Sequence, residues 1–428
     1  MASTTLANYD FEGHAFLPRL RAMRDKVFVD YWPYWAAVLF VAVLNVFEFA
    51  FAGAAWGVTT EFTRWGGHLL GFFGVDVSGW LYFQQIGIKG MPWDRGSGWI
   101  VIGMFLGALI WALLSTNFKI RMPKQRIRLV QGFVGGTIAG FGARLAMGCN
   151  LGSFFSAIPQ FSFHGWIFMA GLFVGTYIGT KIVLLPVFMG RPESRRRGVS
   201  LLPAESSGRS IQPIVGAVIM GLAALGVIYY VASGQWTMGV WMLFGLGFGF
   251  AIERGRICFT SAFRELWITR QADLSRALAM GMIVATVGFA LLTYAGRKPE
   301  AQFASPGALL GGILFGIGIV IAGGCETGWI YRSAEGYVQL WMAGVGTIVG
   351  ATLLAWSWGS LGIYHYLVEG WPKLQLFQAI GWPGALLATV ALLAGWFLFV
   401  TWWESRGAAR ASQPAHHHTP LATKEVTA

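Results

Sequence analysis

Charged residues are scarce in this chain, and so are the motifs of catalysis. Only 12% of the 428 residues are charged, against roughly a quarter in a typical soluble domain. The three cysteines, Cys149, Cys258 and Cys325, contain no CxxC pair, so we expect neither full disulfide pairing nor a zinc site. No Walker A motif and no nucleophile–base arrangement is found. We therefore predict a protein that is not an enzyme and has no cofactor or metal.

Apolar residues are abundant instead. They make up 55% of the chain, which also holds 59 glycines and 21 tryptophans, and both types are frequent in membrane helices. A spanning helix needs about 20 mainly apolar residues. We predict an all-α, polytopic integral membrane protein with about 8–10 transmembrane helices plus re-entrant half-helices. The predicted spans lie near residues 34–56, 99–114, 129–147, 166–189, 211–231, 236–252, 277–295, 308–322, 338–358 and 380–400.

The basic residues predict the orientation in the membrane. Under alternating spans, three basic groups fall on one side, before the first span, between the second and third, and in the central linker. Positive charge collects in cytoplasmic loops, so we expect a bacterial inner membrane protein with both termini in the cytoplasm. Arg297 and Lys298 are an exception and fall on the outer side.

An internal repeat divides the chain. Gly135, Gly136, Gly140 and Gly142 align with Gly311, Gly312, Gly316 and Gly318. At the same offset, Gly148 and Cys149 align with Gly324 and Cys325. Because the two helices run in opposite directions in the predicted topology, we expect an inverted-topology repeat with a substrate site near the midplane. The predicted divisions are a cytoplasmic N-terminal arm (1–30), a first repeat half (31–190), a basic cytoplasmic linker (191–210), a second repeat half with extra helices (211–403) and a cytoplasmic tail (404–428).

The cysteines lie at predicted helix breaks. Each repeated helix ends at a Gly-Cys pair and restarts as a short apolar piece, at 151–158 and at 327–333. Cys258 also follows a predicted helix end. Such half-helices expose unpaired N–H groups that can hold an anion. The alternative is that each cysteine is a small apolar residue in a packed interior. We predict a substrate path formed by Cys149, Cys258, Cys325, Gly148, Gly324, Arg144 and Glu326.

Two charged residues accompany these breaks. Arg144 lies five residues before Cys149 inside an apolar span, and Glu326 directly follows Cys325. Charges at membrane depth face a cavity or a partner, although structural ion pairs are an equally good reading. Arg144 could draw an anion inward, whereas Glu326 would repel one. We therefore expect an ion pair between Glu326 and a nearby arginine.

The sequence resembles the YeeE/YedE family of sulfur-compound membrane proteins. The resemblance rests on residues 143–151 (ARLAMGCNL), 257–264 (ICFTSAFR) and 323–329 (GGCETGW), and the stretch 57–67 (GVTTEFTRWGG) favours the YedE branch. It implies thiosulfate import through an hourglass-shaped helical fold, with Cys149, Cys258 and Cys325 passing the ion by weak S–H···S contacts. It also implies a possible cytosolic partner, a sulfur carrier of the TusA type. The first half departs from the pattern, because Thr60 or a neighbour would take the place of a fourth cysteine.

Three functions remain open at this stage. The leading hypothesis is import of thiosulfate or a related small sulfur-containing anion along a cysteine-lined path. The second is uptake of a selenium compound, because the YedE branch is associated with selenium metabolism. The third is a membrane scaffold that docks a cytosolic sulfur or selenium carrier on its basic face.

Overall fold

The computed structural model describes residues 25–53, 56–189 and 210–411, and these ranges form helices without any strand. Three short non-α turns occur at Asp25–Val29, Pro92–Asp94 and Asn150–Ser156. The α-helices are α1 (Tyr34–Ala52), α2 (Thr59–Phe72), α3 (Leu81–Ile86), α4 (Gly96–Leu114), α5 (Ile127–Leu145), α6 (Phe163–Val183), α7 (Pro186–Met189), α8 (Gln212–Ala232), α9 (Trp236–Arg254), α10 (Phe259–Ile268), α11 (Asp273–Tyr294), α12 (Pro306–Ala322), α13 (Glu326–Ala334), α14 (Val338–Ser360), α15 (Ile363–Leu367) and α16 (Leu376–Ala411). The all-α prediction is confirmed for these ranges.

Nine helical segments in the described ranges are long and apolar enough to cross a membrane. Each of the ten predicted spans coincides with a helix. The predicted span that is not among these nine segments is the one at α5. This helix has a lower hydropathy because it carries five glycines together with Arg128, Gln131 and Arg144. The chain is therefore a multi-pass membrane protein, as predicted. Helix α16 continues to Ala411, past the predicted start of the tail at residue 404.

Helices α5 and α12 cross at the centre of the molecule with their backbones in contact. A Cβ atom added at Gly135 would lie 2.3 Å from the Ala322 nitrogen, and one at Gly142 would lie 2.5 Å from the Phe315 nitrogen. Residue numbers rise along one helix as they fall along the other, so the two helices run antiparallel. Glycine is required here because any side chain would separate the helices.

Two further helices complete the centre. Helix α14 lies parallel to α5, with Gly136 against Ala343 and Gly140 against Thr347. Helix α6 lies against α12 in the same parallel manner. Outside this group, α4 packs on α9 and α1 packs on α11. The contact of α5 with α14 thus corresponds to the contact of α12 with α6 in the other half. The inverted repeat itself stays a prediction.

The two ends of the bundle differ in their loops. At one end, which we call the basic face, loop 115–126 bonds to the residues just before α14. The bonds run from Lys119 N to Glu335 O (3.1 Å) and from Arg121 N to Gly336 O (2.7 Å). On the other end, the segments 296–305 and 368–375 meet through Ala304 N to Pro372 O (2.9 Å); we call it the vestibule face. Most of the basic arm, linker and tail used for the orientation prediction lies outside the described residues.

Candidate anion site

All three cysteines stand directly before a short helical segment. Cys149 precedes the turn Asn150–Ser156, Cys258 precedes α10 and Cys325 precedes α13, each with an extended backbone. The preceding helices end in a left-handed residue at Met147 (φ 60°) and Gly323 (φ 84°), a conformation that glycine adopts freely and methionine adopts only at a cost. This turn lets the chain re-enter the bundle. The structure therefore places the cysteines at helix breaks.

Cys258 and Cys325 face each other. Their Sγ atoms are 3.9 Å apart, and both residues are about 1% exposed. The Cys325 sulfur also accepts a hydrogen bond from the Phe259 backbone N–H (3.2 Å) and lies 3.2 Å from the Thr327 hydroxyl. Thus the N-terminal ends of α10 and α13 converge on a pair of thiols, and the first N–H groups of a helix have no partner within the helix itself.

Cys149 lies at the inner end of a cavity that we call the vestibule. The vestibule has a volume of about 650 Å³, and Glu300, Gln302 and Lys373 line it from the loops of the vestibule face. Gly148 and Cys149 line its inner end, although Cys149 itself is buried. A polar cavity of this size can hold a small hydrated ion.

Arg144 supplies positive charge to the vestibule wall. The residue is 3% exposed, and its guanidinium donates to the hydroxyls of Tyr82, Thr59 (3.0 Å) and Thr60 (3.2 Å). Within the described residues no ion pair joins it to a carboxylate. A buried cation without a counterion is costly unless an anion reaches it. Sequence reasoning singled out Arg144 but missed Tyr82 and Thr59, although the adjacent Thr59 and Thr60 in the stretch 57–67 were a visible signal.

A second polar cluster stands beside it. The carboxylate of Glu61 accepts from Arg64 (2.7 Å), Arg95 (2.9 Å) and Ser97 (2.9 Å). Glu61 is 1% exposed, while Arg64 and Ser97 line the vestibule. One carboxylate against two guanidinium groups leaves a net positive charge near the wall. Sequence reasoning did not identify this cluster, because its members come from α2, from the residue before α4 and from the first turn of α4.

The predicted ion pair of Glu326 is wrong. Glu326 is 1% exposed, and neither of its carboxylate oxygens has a hydrogen-bond partner within the described part of the chain. Arg332 on the same helix donates instead to the Tyr331 hydroxyl (2.9 Å) and to the Gly323 carbonyl (3.2 Å). The guanidinium of Arg332 therefore bonds to the backbone at the helix break and not to the Glu326 carboxyl group.

The two predicted path glycines have different surroundings. A Cβ at Gly148 would lie 2.4 Å from the Ser153 hydroxyl, so a side chain is excluded there. A Cβ at Gly324 would lie 3.3 Å from a methyl group of Leu340, which is a tighter contact than most side chains make. Both glycines therefore allow the chain to approach the following helical segment closely.

Comparison with known proteins gives consistent matches. The model of a family described as "Sulphur transport" matches residues 7–178 and 254–427. The chain is 41% identical to "Probable transporter YedE" of Escherichia coli over 398 residues, which is 93% of this chain and 97% of that protein. The Salmonella typhimurium protein of the same name is 41% identical over 90% of this chain and 95% of its own length. "Thiosulfate transporter TsuA" of Escherichia coli is 32% identical over 36% of this chain and 45% of that protein.

Proposed function

The chain belongs to the sulphur transport family, and from that premise we propose that it imports thiosulfate, or a closely related sulfur-containing anion, across the bacterial inner membrane. The observation that carries the proposal is the arrangement of the vestibule, in which a buried guanidinium lies on the wall and a thiol at the inner end. Similarity to a protein named a thiosulfate transporter supports the same substrate.

The chemistry of the wall fits the two ends of thiosulfate. Its oxygens are hard, charged acceptors, which suit the guanidinium of Arg144 and the hydroxyls of Thr59, Thr60 and Tyr82. Its terminal sulfur is soft and polarisable, which suits a thiol. Cys149 at the inner end of the vestibule is the first thiol that the ion would meet.

Cys258 and Cys325 form the next station of the proposed path. A thiol is a weak donor, so it can contact the ion without holding it, and several weak sites in series favour passage. The N–H groups at the starts of α10 and α13 add partial positive charge at the thiol pair without a buried countercharge. Tyr331 and Arg332, which are bonded to each other, follow on α13 toward the basic face.

The proposal includes an orientation. Loop 115–126 carries Lys119, Arg121, Lys124 and Arg126, so the basic face would be cytoplasmic and the vestibule would open to the outside. The antiparallel contact of the aligned helices α5 and α12 supports an inverted-topology repeat around this path. A TusA-type sulfur carrier would then receive sulfur at the basic face.

Uptake of radiolabelled thiosulfate into proteoliposomes tests the function. We expect wild-type flux, and we expect Cys149→Ala and Cys325→Ala to lower it by at least about tenfold, equivalent to about 1.4 kcal/mol of lost stabilisation. Thr286→Ala is a matched control, because it removes a buried polar group of similar size that bonds within α11 to the Met282 carbonyl (2.7 Å). Its uptake should equal that of the wild type.

Unchanged uptake in both cysteine variants would refute the relay. Competition by sulfate, selenite and selenosulfate identifies the substrate, because a selenium transporter would be inhibited more strongly by the selenium compounds than by unlabelled thiosulfate. A protein that shows no flux but retains a purified sulfur carrier would instead be a scaffold.

A further inference from the structure

Two buried polar side chains occupy corresponding positions and have no hydrogen-bond partner in the described part of the chain. Asn150 is 0% exposed, and neither its Oδ1 nor its Nδ2 is bonded; Glu326 is 1% exposed, and neither carboxylate oxygen is bonded within the described residues. They are separated by 326 − 150 = 176 residues, the same offset that aligns Gly135 with Gly311. Each is the first residue after a path cysteine.

An unbonded polar group in the interior is destabilising, and it is rare in native structures. Here two such groups occur at equivalent places next to thiols. A ligand that arrives during transport would supply the missing partner. Asn150 shows which chemistry the position needs, since a carboxamide is neutral and donates hydrogen bonds through its NH₂ group.

Among the residues that the structure describes, no cation is bonded to Glu326. On its own helix, Arg332 is committed to the Tyr331 hydroxyl and to the Gly323 carbonyl. On α9, which packs against α13, Arg254 is paired with Glu253. A buried carboxylate without such a partner is strongly disfavoured, and a group in this position takes up a proton instead.

The three thiols are also titratable groups near Glu326. Its carboxyl group lies within electrostatic range of Cys149, Cys258 and Cys325. These three come from the turn after α5, from the start of α10 and from the residue before α13. Glu326 therefore lies within electrostatic range of all three thiols. An ionised Glu326 would repel any anion that passed them.

We propose that Glu326 works as a neutral carboxylic acid that donates its proton in a hydrogen bond to the passing anion, and that ionisation of Glu326 closes the path to anions. Asn150 provides the corresponding neutral donor on the other half. The inference rests on the proposed function for its substrate, whereas the protonation of Glu326 can be measured independently of flux. No bond is formed or broken in this step, because the proton stays on the carboxyl group.

The proposal predicts how uptake depends on pH. The neutral form exists on the acid side of the titration, so uptake should fall as the pH rises. Uptake should be measured from about pH 5 to about pH 9, because a buried glutamic acid can titrate as high as about 8–9. Glu326→Gln fixes the neutral, hydrogen-bonding form. We expect its uptake to stay within about threefold of the acidic wild-type rate and to be flat with pH.

Matched variants separate this role from others. Glu326→Ala removes the donor and should lower uptake at every pH. Glu335→Gln is the control, since Glu335 is a buried carboxylate directly after α13, and one of its oxygens is paired with Arg256 (3.5 Å). Its pH profile should match the wild type. Ionisation of the thiols at high pH would remain in Glu326→Gln, so a steep fall in that variant would assign the pH dependence to the cysteines and overturn the proposal.

Infrared difference spectroscopy gives a readout that does not need transport. The wild type should show the carbonyl band of a neutral carboxylic acid that Glu326→Gln lacks, and the band should shift when thiosulfate is added. Absence of the band, or a band insensitive to thiosulfate, would overturn the proposal. Wild-type protein without flux but with a thiosulfate-sensitive band would instead reject the proposed function and keep the neutral, ligand-contacting Glu326.

Discussion

Replacing Arg144 by glutamine should weaken anion capture strongly. Arg144 is buried in the vestibule wall, and within the described ranges its guanidinium bonds to hydroxyl groups, at 3.0 Å to Thr59 and 3.2 Å to Thr60. Its positive charge is therefore not neutralised by a neighbouring carboxylate within the described residues. An anion in the vestibule would provide the missing negative charge, and glutamine would remove that attraction while keeping hydrogen-bonding capacity.

The magnitude follows from the type of interaction lost. Two unit charges 4 Å apart interact by about 4 kcal/mol at an effective dielectric constant of 20, and water in an open vestibule reduces this value. A hydrogen bond to a charged group contributes about 1.5–3 kcal/mol. Taking that range, Arg144→Gln should raise the KM for thiosulfate roughly 10- to 150-fold. Arg144→Lys keeps the charge but lacks the planar fork, so its effect should be smaller.

Initial rates of uptake against thiosulfate concentration would measure this effect. Lys181→Gln is the matched control, because it also removes one positive charge but Lys181 does not line the vestibule. Thermal unfolding of each variant in detergent reports on folding, since Arg144 also joins α5 to α2 and α3 through Thr59 and Tyr82. A folded Arg144→Gln protein with an unchanged KM would refute the assignment of Arg144 to anion capture.

Two further substitutions test the packing around the path. Gly142→Ala places a methyl group 2.5 Å from the Phe315 nitrogen. It should destabilise the bundle by about 1–3 kcal/mol, which would be measured as a lower Tm. Gly395→Ala is the control, because its methyl group points into open space and should leave the Tm unchanged. Gly328→Ala places a methyl group 2.7 Å from the Cys258 sulfur, so thiosulfate uptake should fall while the protein still folds; wild-type uptake would show that the thiol pair lies off the path.

Much of the architecture could be predicted because membrane helices are specified locally. Long apolar runs in this chain have few ways to satisfy their backbone in lipid other than as helices, and each predicted span coincides with a helix. The Gly-Cys breaks at Cys149 and Cys325 were also visible, since they interrupt such runs. The span of α5 has the least typical composition, because its glycines lie against other helices rather than lipid.

The site could be predicted only in part. Cys149, Cys325 and Arg144 stood out from the chain, but the partners of Arg144 lie 62 and 85 residues away, at Tyr82 and Thr59. The ion pair predicted for Glu326 is wrong for a different reason, because closeness in sequence does not fix the direction of a side chain. Arg332 is close in sequence, yet its guanidinium turns back to the Gly323 carbonyl.

The amino-acid sequence by itself determined the class of protein, the positions of its helices and the cysteines at their breaks, because those features follow from local hydropathy and from glycine. Only the tertiary structure decided that Cys258 meets Cys325 across 67 residues, that Arg144 faces a cavity and that Glu326 has no partner among the described residues. Side-chain direction and helix packing set these contacts, and neither is encoded by the residues next to them in the chain.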